Sequence, residues 1–198
     1  MLDTHGRKYV DPYFDKTADF LIKKSLTPNK VTLVALFAGV GGSLVYYMDY
    51  SLFALGLLWF SGYLDAVDGA MARKSQAMTK VGTLLDIFFD RVVEVSFLIA
   101  FGLRFPEALP MLLLLSCSFI LSMTVFLASG MLLENTGKKS FYYQAGLMER
   151  TEGFIMFTLM ILFSHYMAYV ASVYAALVMV TVFQRLFASM KALEEKDE

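Results

Sequence analysis

The chain has 198 residues, 58% hydrophobic and only 18% charged, with a mean hydropathy of +0.58; this is more apolar surface than a soluble domain of that length buries, so the surplus must face lipid. The same figures exclude a disordered chain, a collagen-like repeat and a coiled coil. A net charge of −1 from 17 basic and 18 acidic residues gives no general attraction to nucleic acid, and one cysteine, Cys117, with two distant histidines, His5 and His165, excludes an internal disulfide, a soft-metal centre and Ser-His or Cys-His catalysis.

Residues 1–28 carry charges throughout, while Val10, Phe14, Ala18, Leu21 and Ile22 recur at helical spacing with Lys16, Lys23 and Lys24 between them. This pattern predicts a helix lying on the membrane surface rather than a cleavable signal, because no apolar core and no small-residue cleavage site follow Met1. Six segments then approach the roughly 20 apolar residues that a bilayer core of about 30 Å requires: about 30–49, 52–73, 80–103, 108–133, 148–165 and 169–189. The predicted fold is all-α: a polytopic membrane protein with six transmembrane helices preceded by an N-terminal amphipathic interfacial helix. The predicted organisation is an interfacial segment over 1–28, a membrane domain over 29–190 and a solvated tail over 191–198.

Orientation follows from the basic residues. With both termini and the 134–150 loop in the cytoplasm, Arg104 is the one basic residue of the 17 left outside. Gly39, Gly41 and Gly42 in the first span are expected to let a neighbouring helix approach closely.

Five acids, Asp65, Asp68, Asp86, Asp90 and Glu94, fall inside the second and third spans, where each carboxylate costs on the order of 3 kcal/mol at mid-bilayer. Asp65 and Asp68 share a helix face, with Gly69 and Ala72 beside them. On the next span Gly82, Asp86, Asp90 and Glu94 follow at steps of four and form one stripe. The short connection from Arg73 to Thr79 makes these spans antiparallel neighbours, so four aspartates converge near the cytoplasmic end. Arg73 and Arg91 neutralise only part of that charge. Carboxylates without His or Cys are hard ligands suited to Mg²⁺, Mn²⁺ or Ca²⁺, and two ions about 4 Å apart would clamp phosphoryl oxygens. Gly69, Ala72 and Gly82 leave either a gap for a ligand or a tight helix contact.

Written together, Asp65-Ala-Val-Asp68-Gly69-Ala-Met-Ala72-Arg73, eight residues, then Gly82-Thr-Leu-Leu-Asp86-Ile-Phe-Phe-Asp90, this segment resembles the CDP-alcohol phosphotransferase signature D-x2-D-G-x2-A-R-x8-G-x3-D-x3-D at all eight fixed positions. The resemblance implies transfer of a phosphoalcohol from a CDP-alcohol, usually CDP-diacylglycerol, to a hydroxyl acceptor with release of CMP. It implies two divalent ions, Mg²⁺ or Mn²⁺, on Asp65, Asp68, Asp86 and Asp90, with Asp90 also the general base. Gly69, Ala72, Arg73 and Gly82 would line the CDP site. Thr27-Pro28-Asn29-Lys30-Val31-Thr32 resembles the family's P-N-x-x-T element, which adds Asn29 and Thr32, although Pro before polar caps is equally a helix start. A homodimer in the cytoplasmic membrane, with termini and active site facing the cytoplasm, is implied as well.

The acceptor is expected to be chosen by Arg91, Lys138, Lys139, Arg150 and Arg185, cations that would favour a phosphorylated polyol. Glu149-Arg150-Thr151-Glu152, Phe183-Gln184-Arg185 and Asp90-Arg91-x-x-Glu94 resemble segments of the prokaryotic phosphatidylinositol phosphate synthase branch. That branch has basic residues at the end of the fourth span, where this chain reads Ala128-Ser129-Gly130-Met131-Leu132-Leu133-Glu134. Glycerol phosphate, an inositol phosphate, another polyol phosphate and a second lipid stay open. Lys138 and Lys139 also suit a positive-inside anchor. Two rivals from other classes are a cation or proton transporter, which also uses intramembrane carboxylates, and a CDP-lipid binder without turnover.

Overall fold

The computed structural model describes the backbone of residues 2–134 and 146–197 and the side chains of 10–133 and 146–195. Among the described residues seven α-helices follow in order: α1 (Leu2–Lys23), α2 (Pro28–Tyr47), α3 (Ser51–Lys74), α4 (Lys80–Arg104), α5 (Leu109–Glu134), α6 (Arg150–Leu162) and α7 (Met167–Asp197), with single 3-10 turns at Pro106–Ala108 and Ser164–Tyr166. No strand occurs among the described residues, as the all-α expectation requires.

Among the described residues three stretches are long and apolar enough to cross a membrane: Pro28–Tyr47, Pro106–Leu133 and Ser164–Glu195. Helices α3 and α4 have the length, 24 and 25 residues, but their carboxylates and cations lower their hydropathy. The expected fifth span, 148–165, is shortened. Helix α6 has 13 residues, about 20 Å at 1.5 Å per residue, and gives way to the turn Ser164–Tyr166. Residues 191–197, expected as a solvated tail, continue α7 to Asp197.

Helices α1, α2 and α3 end alike. Ser25, Asp49 and Gln76 adopt φ values of 59°, 76° and 52°, and the N–H of the following residue reaches back five positions, Leu26 to Leu21, Tyr50 to Val45 and Ala77 to Ala72, at 3.2, 3.1 and 3.1 Å. These are Schellman closures made without the usual glycine, so no sequence signal marks them.

The main core joins α2 to α7 through Tyr46, Phe97, Phe101, Leu115, Phe157, Met160 and Tyr174. In lipid such contacts rely on close packing rather than on water exclusion, and the glycines show where it is closest. A Cβ on Gly39 would lie 2.5 Å from Val93 Cγ2 and 2.9 Å from Ser61 Oγ, and one on Gly42 would lie 3.1 Å from Leu57 Cβ. Gly41 has nothing within 4 Å of that position among the described residues, because two residues on from Gly39 the helix points it to the other side.

A smaller core holds α1 against α2 and α3. Phe14, Ala18, Leu21 and Ile22, the stripe that predicts a surface-lying helix, pack here with Val31, Ala35, Leu64, Val67 and Met71. Thr17 and Tyr63 share a hydrogen bond of 2.6 Å. Lys74 donates to Asp19 Oδ1 at 2.9 Å, and that bond raises the lysine pKa. A second stripe of α1, Val10, Tyr13 and Phe20, stays exposed.

At the opposite end Arg104 ties the α2–α3 turn to α4. Its guanidinium donates to the Tyr46 carbonyl at 2.6 Å, pairs with Asp49 and lies 4.4 Å from the Tyr46 ring centroid. Arg104→Ala leaves that carbonyl without this donor, and the expected cost is on the order of 2 kcal/mol. Thermal unfolding in detergent should show a Tm several degrees lower; an unchanged Tm would contradict the assignment.

Candidate active site

The site starts where α3 ends and α4 begins. Thr79 caps α4, its hydroxyl oxygen accepting the Gly82 N–H at 3.0 Å, which fixes the first turn and therefore the direction of Asp86 one turn later. Asp65 and Asp68, three apart on α3, face the same way. One carboxylate oxygen from each of Asp65, Asp68 and Asp86 lies within 4.8 Å of the others. Asp65 and Asp68 are 8% and 5% exposed. Asp68 Oδ2 is buried with no hydrogen-bond partner.

Asp90, one turn beyond Asp86, stands apart from that trio. Arg150, the first residue of α6, bridges α3 and α4: Nη1 pairs with Asp65 Oδ2, and Nη2 donates to Asp90 Oδ1 at 2.8 Å. Arg91 turns to Glu94, with Nη1 2.5 Å from Oε2.

Beyond these residues opens a cavity of about 380 Å³. Asp65, Asp86 and Asp90 line it with Arg91, Glu94, Arg150 and Arg185, and so do Thr32, Ser61, Ser122, Glu149 and Tyr174. All six helices from α2 to α7 contribute walls or the mouth. Arg185 Nη1 donates to Ser122 at 3.4 Å, and its guanidinium lies 5.4 Å from the Phe126 ring centroid. Ser129 and Ser189, both buried, share a hydrogen bond of 2.6 Å that closes the end of α5 on α7.

Of the residues expected at the nucleotide, Thr32 lines the cavity; Asn29, Gly69, Ala72, Arg73 and Gly82 do not. They lie one helical turn farther toward the α3–α4 connection. There Asn29 Oδ1 is 3.4 Å from the position of a Cβ on Gly82, and Arg73 Nη1 is 3.3 Å from that on Gly69. Asn29 of the P-N-x-x-T element therefore meets the signature glycine Gly82, whereas Gly69 faces Arg73 of its own helix. Lys138 and Lys139 lie outside the described residues. Tyr174, 4% exposed, escapes sequence reading because nothing in the sequence separates it from the many other aromatics of the spans, and Ser122 is marked only by polarity within an apolar run.

The donors fit a divalent ion. Three carboxylates from two helices converge, one oxygen is buried without a hydrogen bond, and the trio is composed of hard oxygen ligands only.

Compared with known families, residues 25–184 match CDP-alcohol phosphatidyltransferase. The chain belongs to that family. This transferase is 34% identical over 203 residues to the inner membrane protein YnjF of Escherichia coli K12, covering 98% of both chains. It is 34% identical over 95 residues to the phosphatidylinositol phosphate synthase of Corynebacterium glutamicum, covering 48% of this chain and 43% of that one. The fold matches the phosphatidylinositol phosphate synthase of Mycobacterium tuberculosis with CDP-DAG bound, with a TM-score of 0.67, 24% identity and coverage of 89% of this chain and 92% of that one. The same enzyme with manganese and citrate gives a TM-score of 0.69 at 22% identity, covering 89% and 88%. The CDP-alcohol phosphatidyltransferase is thus a metal-dependent membrane enzyme of phospholipid synthesis, and the transporter reading of its intramembrane acids is set aside.

Proposed function

We propose that this transferase moves a phosphatidyl group from CDP-diacylglycerol to a hydroxyl of a phosphorylated polyol, such as glycerol phosphate or an inositol phosphate, and releases CMP. The observation that carries the reading is the trio Asp65, Asp68 and Asp86 at the mouth of a cavity that also presents Asp90 and three arginines. Asp65, Asp68, Asp86 and Asp90 would hold two ions, Mg²⁺ or Mn²⁺. Bound there, divalent ions neutralise the donor's pyrophosphate and stabilise CMP as it leaves.

The chain's own residues do the rest. Asn29, Thr32, Gly69, Ala72, Arg73 and Gly82 receive the CDP group, the two glycines and the alanine keeping the α3–α4 mouth free of bulk. Asp90 accepts the proton of the acceptor hydroxyl; without metal, Arg150 pairs with its carboxylate at 2.8 Å. Arg91, Arg150 and Arg185 line the cavity and would face the acceptor, which favours a phosphorylated polyol over a neutral alcohol or a second lipid. Lys138 and Lys139, between α5 and α6 in the sequence, would add to that group.

In the same proposal α3, α4 and α6 complete a six-span bundle with α2, α5 and α7, since all six surround one cavity. Helix α1 rests on the cytoplasmic interface through Val10, Tyr13 and Phe20, with Lys16, Lys23 and Lys24 toward the headgroups. Residues 1–28 are the interfacial segment and 29–190 the membrane domain of a homodimer in the cytoplasmic membrane, both termini facing inward.

The test is release of CMP from CDP-diacylglycerol by purified protein in detergent with Mg²⁺ or Mn²⁺, against glycerol phosphate, inositol phosphates, inositol, serine and phosphatidylglycerol. Release that requires one phosphorylated polyol is the expected result. Release with inositol, serine or phosphatidylglycerol alone would overturn the acceptor class, and thermal stabilisation by CDP-lipid without release from any acceptor would favour a binder without turnover.

A further inference from the structure

The transfer reaction does not by itself call for the position that Arg150 takes. Arg150 places one guanidinium nitrogen on Asp65, a member of the metal-binding trio, and the other on Asp90. We propose that Arg150 is an internal counter-cation that competes with the divalent metal for Asp65 and Asp90, so that metal loading and displacement of Arg150 are thermodynamically coupled. The inference rests on the reading of Asp65, Asp68 and Asp86 as metal ligands.

Geometry limits the alternatives. Asp65 is buried, and its Oδ2 is engaged by the guanidinium. Asp68 and Asp86 are not hydrogen-bonded to Arg150 in the structure, so the competition falls on one member of the trio and on Asp90. A planar fork spans two carboxylates on different helices, which a lysine ammonium, a point charge, does less well. Arg91 is not equivalent, because it pairs with Glu94 on its own helix. By reciprocity, any anion that draws the guanidinium away from Asp65 strengthens metal binding by the same factor that the metal strengthens the anion's hold on Arg150. A phosphorylated acceptor entering the cavity is such an anion, so acceptor and metal would favour each other's binding with no contact between them required.

The experiment is Mn²⁺ affinity of the purified protein in detergent, measured by electron paramagnetic resonance of free Mn²⁺, for the wild type, Arg150→Gln, Arg150→Lys and Asp86→Asn. Arg150→Gln is expected to bind Mn²⁺ roughly tenfold more tightly than the wild type, although it loses transfer activity. Arg150→Lys, which keeps the charge but not the fork, should fall between them and serves as the test if the glutamine variant does not fold. Unchanged or weaker Mn²⁺ binding in the folded Arg150 variants, with Asp86→Asn still abolishing it, would overturn the competition and leave the metal site standing. Mn²⁺ binding that is indifferent to Asp86→Asn would instead overturn the ligand assignment beneath it.

Discussion

Asp90→Asn is expected to lower CMP release by about a hundredfold to ten-thousandfold while leaving CDP-lipid binding largely intact. The amide is nearly isosteric with the carboxylate and keeps an oxygen that accepts from Arg150, so the bridge between α4 and α6 survives. What it loses is the basic oxygen that takes the proton from the acceptor. Asp90 is not one of the three carboxylates that lie within 4.8 Å of one another, so of the four proposed ligands it has the smallest share in holding metal and donor, and its loss falls mainly on turnover. Single-turnover CMP release, read beside the thermal shift produced by CDP-diacylglycerol, separates the two effects. A wild-type rate would remove Asp90 from the base role.

Asp65→Asn and Asp86→Asn are expected to behave differently, weakening Mn²⁺ by at least about a hundredfold and CDP-lipid binding with it. Each removes a full charge from a buried trio of hard oxygen donors contributed by two helices, and the neutral amide neither attracts a dication nor helps bridge two of them. Mn²⁺ titration and CDP-lipid-dependent thermal stabilisation should therefore fail together in these variants. Metal affinity that survived both substitutions would show that the acids are paired for structural reasons alone. The contrast between Asp86 and Asp90, one helical turn apart, makes the pair of experiments more informative than either.

Both expectations begin in the sequence. The amino-acid order alone determined the class of molecule, because apolar residues in such excess have no place but lipid. It also determined the site's ingredients, since helix geometry sets what residues three and four apart do: Asp65 with Asp68, and Gly82, Asp86, Asp90 and Glu94, had to form stripes. A connection as short as 75–79 had to bring those stripes face to face. Asn29 was legible only through the likeness of Pro28-Asn29-x-x-Thr32 to the family's element, and the fold puts it beside Gly82.

Only the tertiary structure decided what reaches that site from elsewhere in the chain. Arg150 lies 60 positions from Asp90, and as a sequence element it is one basic residue at a helix start; its bridge to Asp65 and Asp90 exists because α6 docks against α3 and α4. Tyr174 looked like any interfacial aromatic until α7 turned it into the cavity. The stripe of α1 that suits a membrane surface suits a protein surface equally, and the neighbours at Leu64 and Val67 claimed it. Gly39 and Gly41, two residues apart, diverged into a tight contact and open space. The physical reason is common to all four. In lipid the inward and outward faces of a helix are both apolar, so hydropathy does not mark which face packs; helix rotation and the close approach of remote elements determine it, and those arise only when the whole bundle is assembled.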